Sequence, residues 1–161
     1  MTAIDLGVTT GRSARTYYNT GNRASPTWNE ISYVAGSESF DTGKEATITG
    51  ENRLSGRKIS EDGVQDPCSL KFAYQQQRGV SDADFAALLA SKAPGGTRPE
   101  FAVMDGNITL GGATGFRFFG KVTELSWKRD LDKFAEWDVA IEERVVYEAG
   151  NLAGMISYTV P

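Results

Sequence analysis

The sequence predicts a mainly β protein, an antiparallel β-sandwich or partial barrel with one flanking α-helix. Apolar and polar residues alternate at period two along most of the chain, as half-buried strands require, and only one segment shows helical spacing. The order is strands, one helix, then strands again; without βαβ alternation there is no basis for a parallel sheet. With 161 residues, 40% of them hydrophobic, the chain is expected to bury roughly 70% of its unfolded surface as a single domain over 1–161.

Residues 12–20 read as a first strand, with Tyr17 and Tyr18 supplying β propensity, and 19–26 as a turn-rich break. A second strand is expected over 28–35 and a third, less apolar, over 43–49, where Ala46 and Ile48 oppose Thr47 and Thr49. From 50 to 67 the chain turns polar, with Leu54, Ile59 and Val64 as its possible anchors, so a hairpin or an irregular functional loop is expected there. Residues 66–76 form a clean strand in which Cys68, Leu70, Phe72 and Tyr74 alternate with Ser69, Lys71, Ala73 and Gln75.

The helix is expected over 81–92. Ser81 is placed to cap it, Asp82 and Asp84 complement its positive end, and Phe85, Leu88 and Leu89 form an apolar stripe for the core. Pro94-Gly95-Gly96 stops it. Three consecutive strands follow, beginning at Glu100, Gly115 and Ala135. In the second, apolar parity changes from Phe116, Phe118 and Val122 to Leu125 and Trp127, which predicts a β-bulge near Thr123. In the third, over 135–147, Trp137, Val139, Ile141, Val145 and Tyr147 fall on one face and Glu136, Asp138, Glu142 and Arg144 on the other. Residues 151–161 are weakly patterned.

Composition bears on chemistry. The chain has no histidine and one cysteine, so Ser-His-Asp, Cys-His and HExxH chemistry, internal disulfides and cysteine-cluster metal sites are excluded. Cys68 shares the parity of a core face and is expected to be a buried thiol. Asp130, Asp132, Glu136 and Asp138 lack the loop glycine and terminal glutamate of a calcium loop, and Leu110 to Gly115 lacks the Lys-Ser or Lys-Thr of a phosphate loop. GFRFFG at Gly115 suggests the aromatic strand of an RNA-binding sheet, but one helix and an acidic balance favour core packing of Phe116 and Phe118. No enzyme activity, cofactor, metal or membrane span is expected. The N-terminal residues have no secretory pattern, which points to synthesis in a cytoplasm.

ARTYYNTG from Ala14, SPTWNEI from Ser25, TGKEATITGENR from Thr42, EFAVMDGNI from Glu100 and TELSWKRDLDKFAEWDVAIE from Thr123 carry a resemblance. In this order, over about 14–147, they resemble the tail tube proteins of long-tailed bacteriophages. The resemblance implies a virion structural subunit. Six copies would join strands into one closed barrel, and rings would stack into a conduit for DNA, which passes without specific binding. Its partners would be further copies of itself and other tail proteins such as the tape measure and tail terminator. The alternatives are the tube of a contractile injection or type VI-like secretion apparatus, and a β-sandwich binding module of a virion.

Two sets of residues are candidates for that role. Glu136, Asp138 and Glu142 oppose an apolar face and are expected to contribute an acidic lining to the bore, although an outer wall satisfies the same parity. Arg53, Leu54, Arg57, Lys58, Ile59 and Val64 lie in the polar excursion and are expected to contact neighbouring subunits, although a solvated loop accounts equally for the basic cluster Arg53, Arg57 and Lys58. A formal charge of −4 per chain suits a conduit that repels phosphates rather than a protein that captures them.

Overall fold

The computed structural model describes residues 14–51, 58–77, 81–128, 136–148 and 151–161. Its strands are β1 (Arg15–Asn19), β2 (Trp28–Glu30), β3 (Val34–Asp41), β4 (Glu45–Glu51), β5 (Lys58–Gln65) and β6 (Ser69–Gln75). The helix α1 (Ala83–Lys92) follows, then β7 (Glu100–Met104), β8 (Thr114–Lys128), β9 (Glu136–Glu143), β10 (Val146–Glu148), β11 (Asn151–Ala153) and β12 (Ile156–Thr159).

One long antiparallel sheet carries the fold, in the order β2-β1-β7-β8-β9-β6-β3, with β12 paired to β8. The 15-residue β8 is its corner: the first part pairs with β7 and β12, and the part from Gly120 to Lys128 pairs with β9. Register shifts between Val122 and Glu124, where the parity change predicts a bulge, and the extra residue Thr123 donates its hydroxyl to the Ala140 carbonyl. Bending there lets the two halves of the sheet face one another.

The core between the halves holds Tyr18, Phe101 and Phe118 from one side and Leu70, Phe72, Tyr74, Val139 and Ile141 from the other. Cys68 is fully buried with them, and burial raises the pKa of its thiol. Phe40 crosses the core to lie 5.8 Å from Phe118 and 5.5 Å from the half-buried Phe116. A second cluster, Tyr17, Ala102, Met104 and Ile108 with Trp28, Tyr158 and Val160, covers the opposite face of β1 and β7. Both faces of β7 are therefore buried, which is why EFAVM shows no clean alternation.

Several elements depart from the sequence reading. The expected strand 28–35 is two strands, because Ile31 turns into the core at 3% exposure and its amide bonds to the Thr16 carbonyl. The cap of α1 is Asp82 rather than Ser81. The Asp82 carboxylate accepts from the Phe85 amide at 2.9 Å, the Gln77 amide at 3.1 Å and the buried Tyr74 hydroxyl at 2.7 Å, so it ties the helix to β6 as well as capping it. Leu88 is buried as expected and Phe85 packs on the core, but Leu89 is 53% exposed; a short helix lying along β8 presents a narrow stripe. The strand expected over 135–147 ends at Glu143, and Val145 is exposed, because Arg144 and Val145 break the pairing before β10 joins β11. The weakly patterned tail contributes β12, held against β8.

Candidate functional site

The three acids singled out by period two lie on the half-sheet formed by β3, β6, β9 and the second part of β8. Alternation puts the core residues of these strands on one side, and the other side is polar. Cross-strand register assembles that side in rows: Asp41, Ser69, Glu142 and Lys121; Ser39, Lys71, Ala140 and Glu124; Ala35, Ala73, Asp138 and Ser126; and Gln75, Glu136 and Lys128. The three acids expected to lie opposite the apolar set are all here, half-buried at their bases, while Trp137, Val139 and Ile141 pack inward.

The face is less purely acidic than the three residues alone suggest. Five carboxylates share it with three lysines, a balance of −2. Asp138 receives Lys128 at 2.6 Å and raises the pKa of its ammonium, Glu142 receives Arg144 at 2.8 Å, and Glu136 accepts from Gln75 at 3.3 Å. These pairs are exposed, so each contributes little to stability. At the centre the small side chains of Ala73 and Ala140 floor a shallow depression rimmed by Lys71, Glu124 and Asp138.

The half-sheet has two lateral edges: β3, which ends the sheet path, and the second part of β8, beyond its pairing with β7. At one, β3 carries an irregularity in which Gly36, Ser37 and Glu38 stand opposite Phe72 alone. The buried Thr16 hydroxyl donates to Glu38 there, and burial raises the pKa of that carboxyl. At the other edge, α1 covers the middle of β8: Ser91 Oγ accepts from the Val122 amide at 3.1 Å and Lys92 Nζ donates to the Thr123 carbonyl at 2.9 Å. Beyond that cover, Glu124 to Lys128 pair with β9 on one side only among the described residues. Sheet edges of this kind are templates for pairing with another chain.

From one end of the half-sheet projects a two-stranded ribbon. β4 and β5 pair with each other as a separate sheet, continuing β3 and β6 beyond the row of Asp41 and Ser69. Its base is fixed. Gly43 adopts φ 84°, its amide bonds the Asp41 carboxylate, and a Cβ there would sit 2.1 Å from the Asp66 carbonyl oxygen. The described part of the polar excursion supplies the end of β4 and all of β5, to which Lys58, Ile59 and Val64 belong; Arg53, Leu54 and Arg57 lie outside the described residues. Seven residues of strand at about 3.3 Å each give it a reach of roughly 23 Å.

Sequence reading missed a buried ionic cluster behind the other half. Glu100, 2% exposed, accepts from Arg117 Nε at 3.1 Å and Nη2 at 2.9 Å, from Arg23 Nε at 2.7 Å and from Asn19 Nδ2 at 3.3 Å. Arg117 lies over the Trp28 and Tyr158 rings, and Arg23 donates to the Gly154 carbonyl. The cluster staples β7, β8, the turn after β1 and the C-terminal segment. The available signal was that Glu100 shares its parity with Ala102 and Met104 in a run apolar on both faces.

No family model and no curated protein matches the sequence. Solved structures do. A chain of the sheath-tube complex of an extracellular contractile injection system (PVC) in its extended state superposes with TM-score 0.68 at 10% identity, covering 99% of each chain. The SPP1 tail tube gives 0.61 at 13% identity over 94% of this chain and 80% of that one. A chain from the tail of an empty gene transfer agent particle, refined with C6 symmetry, gives 0.58 at 17% identity over 91% and 98%. Each superposition covers at least 91% of this chain, so the whole domain takes part in the likeness: this chain has the fold of phage-like tail tube proteins.

Proposed function

We propose that this chain is a non-enzymatic structural protein, the tube subunit of a phage-like tail, whose single domain closes into six-membered rings that stack into a conduit for DNA. The observation that carries the reading is the half-sheet, with its polar face, two lateral edges and a ribbon leaving one end.

Four strands alternate in direction, so β3 and the second part of β8 run oppositely. Rotation about an axis preserves strand direction. Copies arranged in a ring therefore bring β8 of one against β3 of the next as an antiparallel pair, and closure removes both edges. Six copies supply 24 strands, which at about 4.8 Å spacing and about 40° tilt give a barrel roughly 48 Å across at the backbone. With the core side packed against the other half of the fold, the polar rows containing Glu136, Asp138 and Glu142 line the bore. The face balance becomes about −12 per ring, repelling phosphates within about a Debye length, roughly 8 Å at physiological salt.

The ribbon runs along the strand direction, out of the plane of the ring, so it is the part that reaches an adjacent ring. Lys58, Ile59 and Val64 fall on it, and Arg53, Leu54 and Arg57 lie between its two strands in the sequence. The mature location is a virion tail, in company with a tail terminator and a tape measure. A second reading, the tube of a contractile injection apparatus, is favoured by the higher superposition on the PVC chain. Co-sedimentation with the product of a neighbouring sheath gene separates the two.

Negative-stain electron microscopy of the concentrated protein tests the main reading. Six-fold rings or tubes of uniform bore are expected. A chain that stays monomeric at millimolar concentration, alone and with its tail terminator, overturns it.

A further inference from the structure

The two lateral edges of the half-sheet are restricted in different places. On the β8 edge, α1 closes the strand at Val122 and Thr123, where Ser91 Oγ accepts from the Val122 amide and Lys92 Nζ donates to the Thr123 carbonyl. Only Glu124 to Lys128 are left to receive another strand. On the β3 edge, the irregularity between Ala35 and Ser39 interrupts the ladder, and the chain turns away at Gly43, with φ 84°. The regular run between them is Ser39, Phe40 and Asp41, aligned with Lys71, Leu70 and Ser69 of β6. On β6, Lys128, Trp127 and Ser126 align through β9 with Gln75, Tyr74 and Ala73.

We propose that rings close in one register, displaced by four residues along the strand, in which Ser39, Phe40 and Asp41 of one copy pair with Lys128, Trp127 and Ser126 of its neighbour. This rests on the ring reading and adds to it the register that the edges permit. Side chains alternate along a strand, so an odd displacement sets the polar rows of one copy against the core side of the next, and only even ones keep the bore polar. Across four strands at about 4.8 Å, displacements of two, four and six residues at about 3.3 Å tilt the strands by about 19°, 35° and 46°, whereas closed barrels tilt by about 35–45°. Two is thereby excluded. Six sets Asp41 opposite Lys128 and carries the rest of the open β8 segment past Gly43, where the incoming chain has already turned. A displacement in the opposite sense sets that segment against the residues before Val34, among which Ile31 is turned into its own core at 3% exposure.

Four fits both faces. On the polar side Ser126 meets Asp41 and Lys128 meets Ser39, so no like charges are opposed. On the core side Trp127, 51% exposed in the subunit, comes beside Phe40, which already lies 5.8 Å from Phe118. The incoming chain leaves at Gly43, which by this count stands opposite Glu124, next to the Thr123 carbonyl that Lys92 occupies. Cover on one edge and turn on the other thus end the pairing at the same point.

Paired cysteines read the register in rings of the full chain treated with a thiol oxidant, with each single variant as the baseline for Cys68. Directly opposed residues lie about 4.5–5.5 Å apart, within disulfide reach, and diagonal ones about 7–8 Å apart, beyond it. Ser39→Cys with Lys128→Cys, and Asp41→Cys with Ser126→Cys, should each give ladders of up to six linked chains on non-reducing gels. Ser39→Cys with Ser126→Cys reports a displacement of two, and Asp41→Cys with Lys128→Cys a displacement of six; each should link at least tenfold less. A stronger ladder from either of these, or none from any pair in rings that form normally, overturns the register. All four positions are exposed and the pairing is between backbones, so rings should survive the first two double variants under reducing conditions; their loss in both overturns it as well. If the unmodified chain forms no rings, it is the ring reading that fails.

Discussion

Removing the charge of Glu100 while keeping its shape, as in Glu100→Gln, isolates the contribution of the buried ionic cluster. The wild-type carboxylate accepts four hydrogen bonds from three side chains and is almost wholly enclosed. In the variant the amide nitrogen must face a guanidinium donor, from Arg117 or from Arg23. Arg117, with its side chain 7% exposed, then keeps its charge without a counter-ion. Breaking a buried pair from one side costs about 3–5 kcal/mol, because the partner's desolvation is no longer offset. That is from about a fifth to the whole of the 5–15 kcal/mol that typically separates folded from unfolded domains. For a chain of this size it corresponds to a melting temperature lower by roughly 6–20 °C. Urea and thermal unfolding of the unassembled subunit, followed by circular dichroism, reads the change. The paired replacement Glu100→Met with Arg117→Met should recover much of the loss, since an apolar substitute for the whole pair leaves no orphaned charge. A loss below about 1 kcal/mol in Glu100→Gln, or a double variant no better than the single one, would refute the reasoning.

The other expectations follow from local geometry. Leu88→Ala should cost about 2–5 kcal/mol and Leu89→Ala under about 0.5 kcal/mol in the same unfolding assay, because only the first is buried. Burial raises the Asp82 carboxyl, but the Phe85 amide, the Tyr74 hydroxyl and the Gln77 amide outweigh it and hold its pKa below the usual value. Its contribution is thus present above the unfolded carboxylate range and lost as pH falls through the lowered folded value, so Asp82→Asn should flatten the acid limb of the stability–pH curve. Gly43→Ala should disturb the ribbon base, since it demands a strained φ and a clash with Asp66, and should reduce tube yield more than subunit melting temperature. Replacing Glu136, Asp138 and Glu142 together by Lys should permit assembly yet slow DNA release at low salt; normal release in particles of normal tail length places these residues on an outer wall.

Much of this protein is legible from sequence because strand periodicity is local. Cys68, Leu70, Phe72 and Tyr74 could alternate in one way only, and the parity change at Thr123 announced the bulge on which the sheet bends. The opposition of Glu136, Asp138 and Glu142 to Trp137, Val139 and Ile141 was equally fixed by period two. Tertiary structure decided what depends on contacts distant in sequence. Asp82 displaced Ser81 as the helix cap because it also reaches Tyr74 across the gap to β6. Period two marked the first of the segments 45–51 and 58–65 as a strand, but that the two pair with each other as a separate ribbon was decided by backbone groups that satisfy one another across the hairpin. Glu100 and Arg117 are 17 positions apart and polar, which by composition reads as surface. They are buried together because β7 is covered on both faces, and the energy of enclosing one charge depends on whether the fold delivers the other.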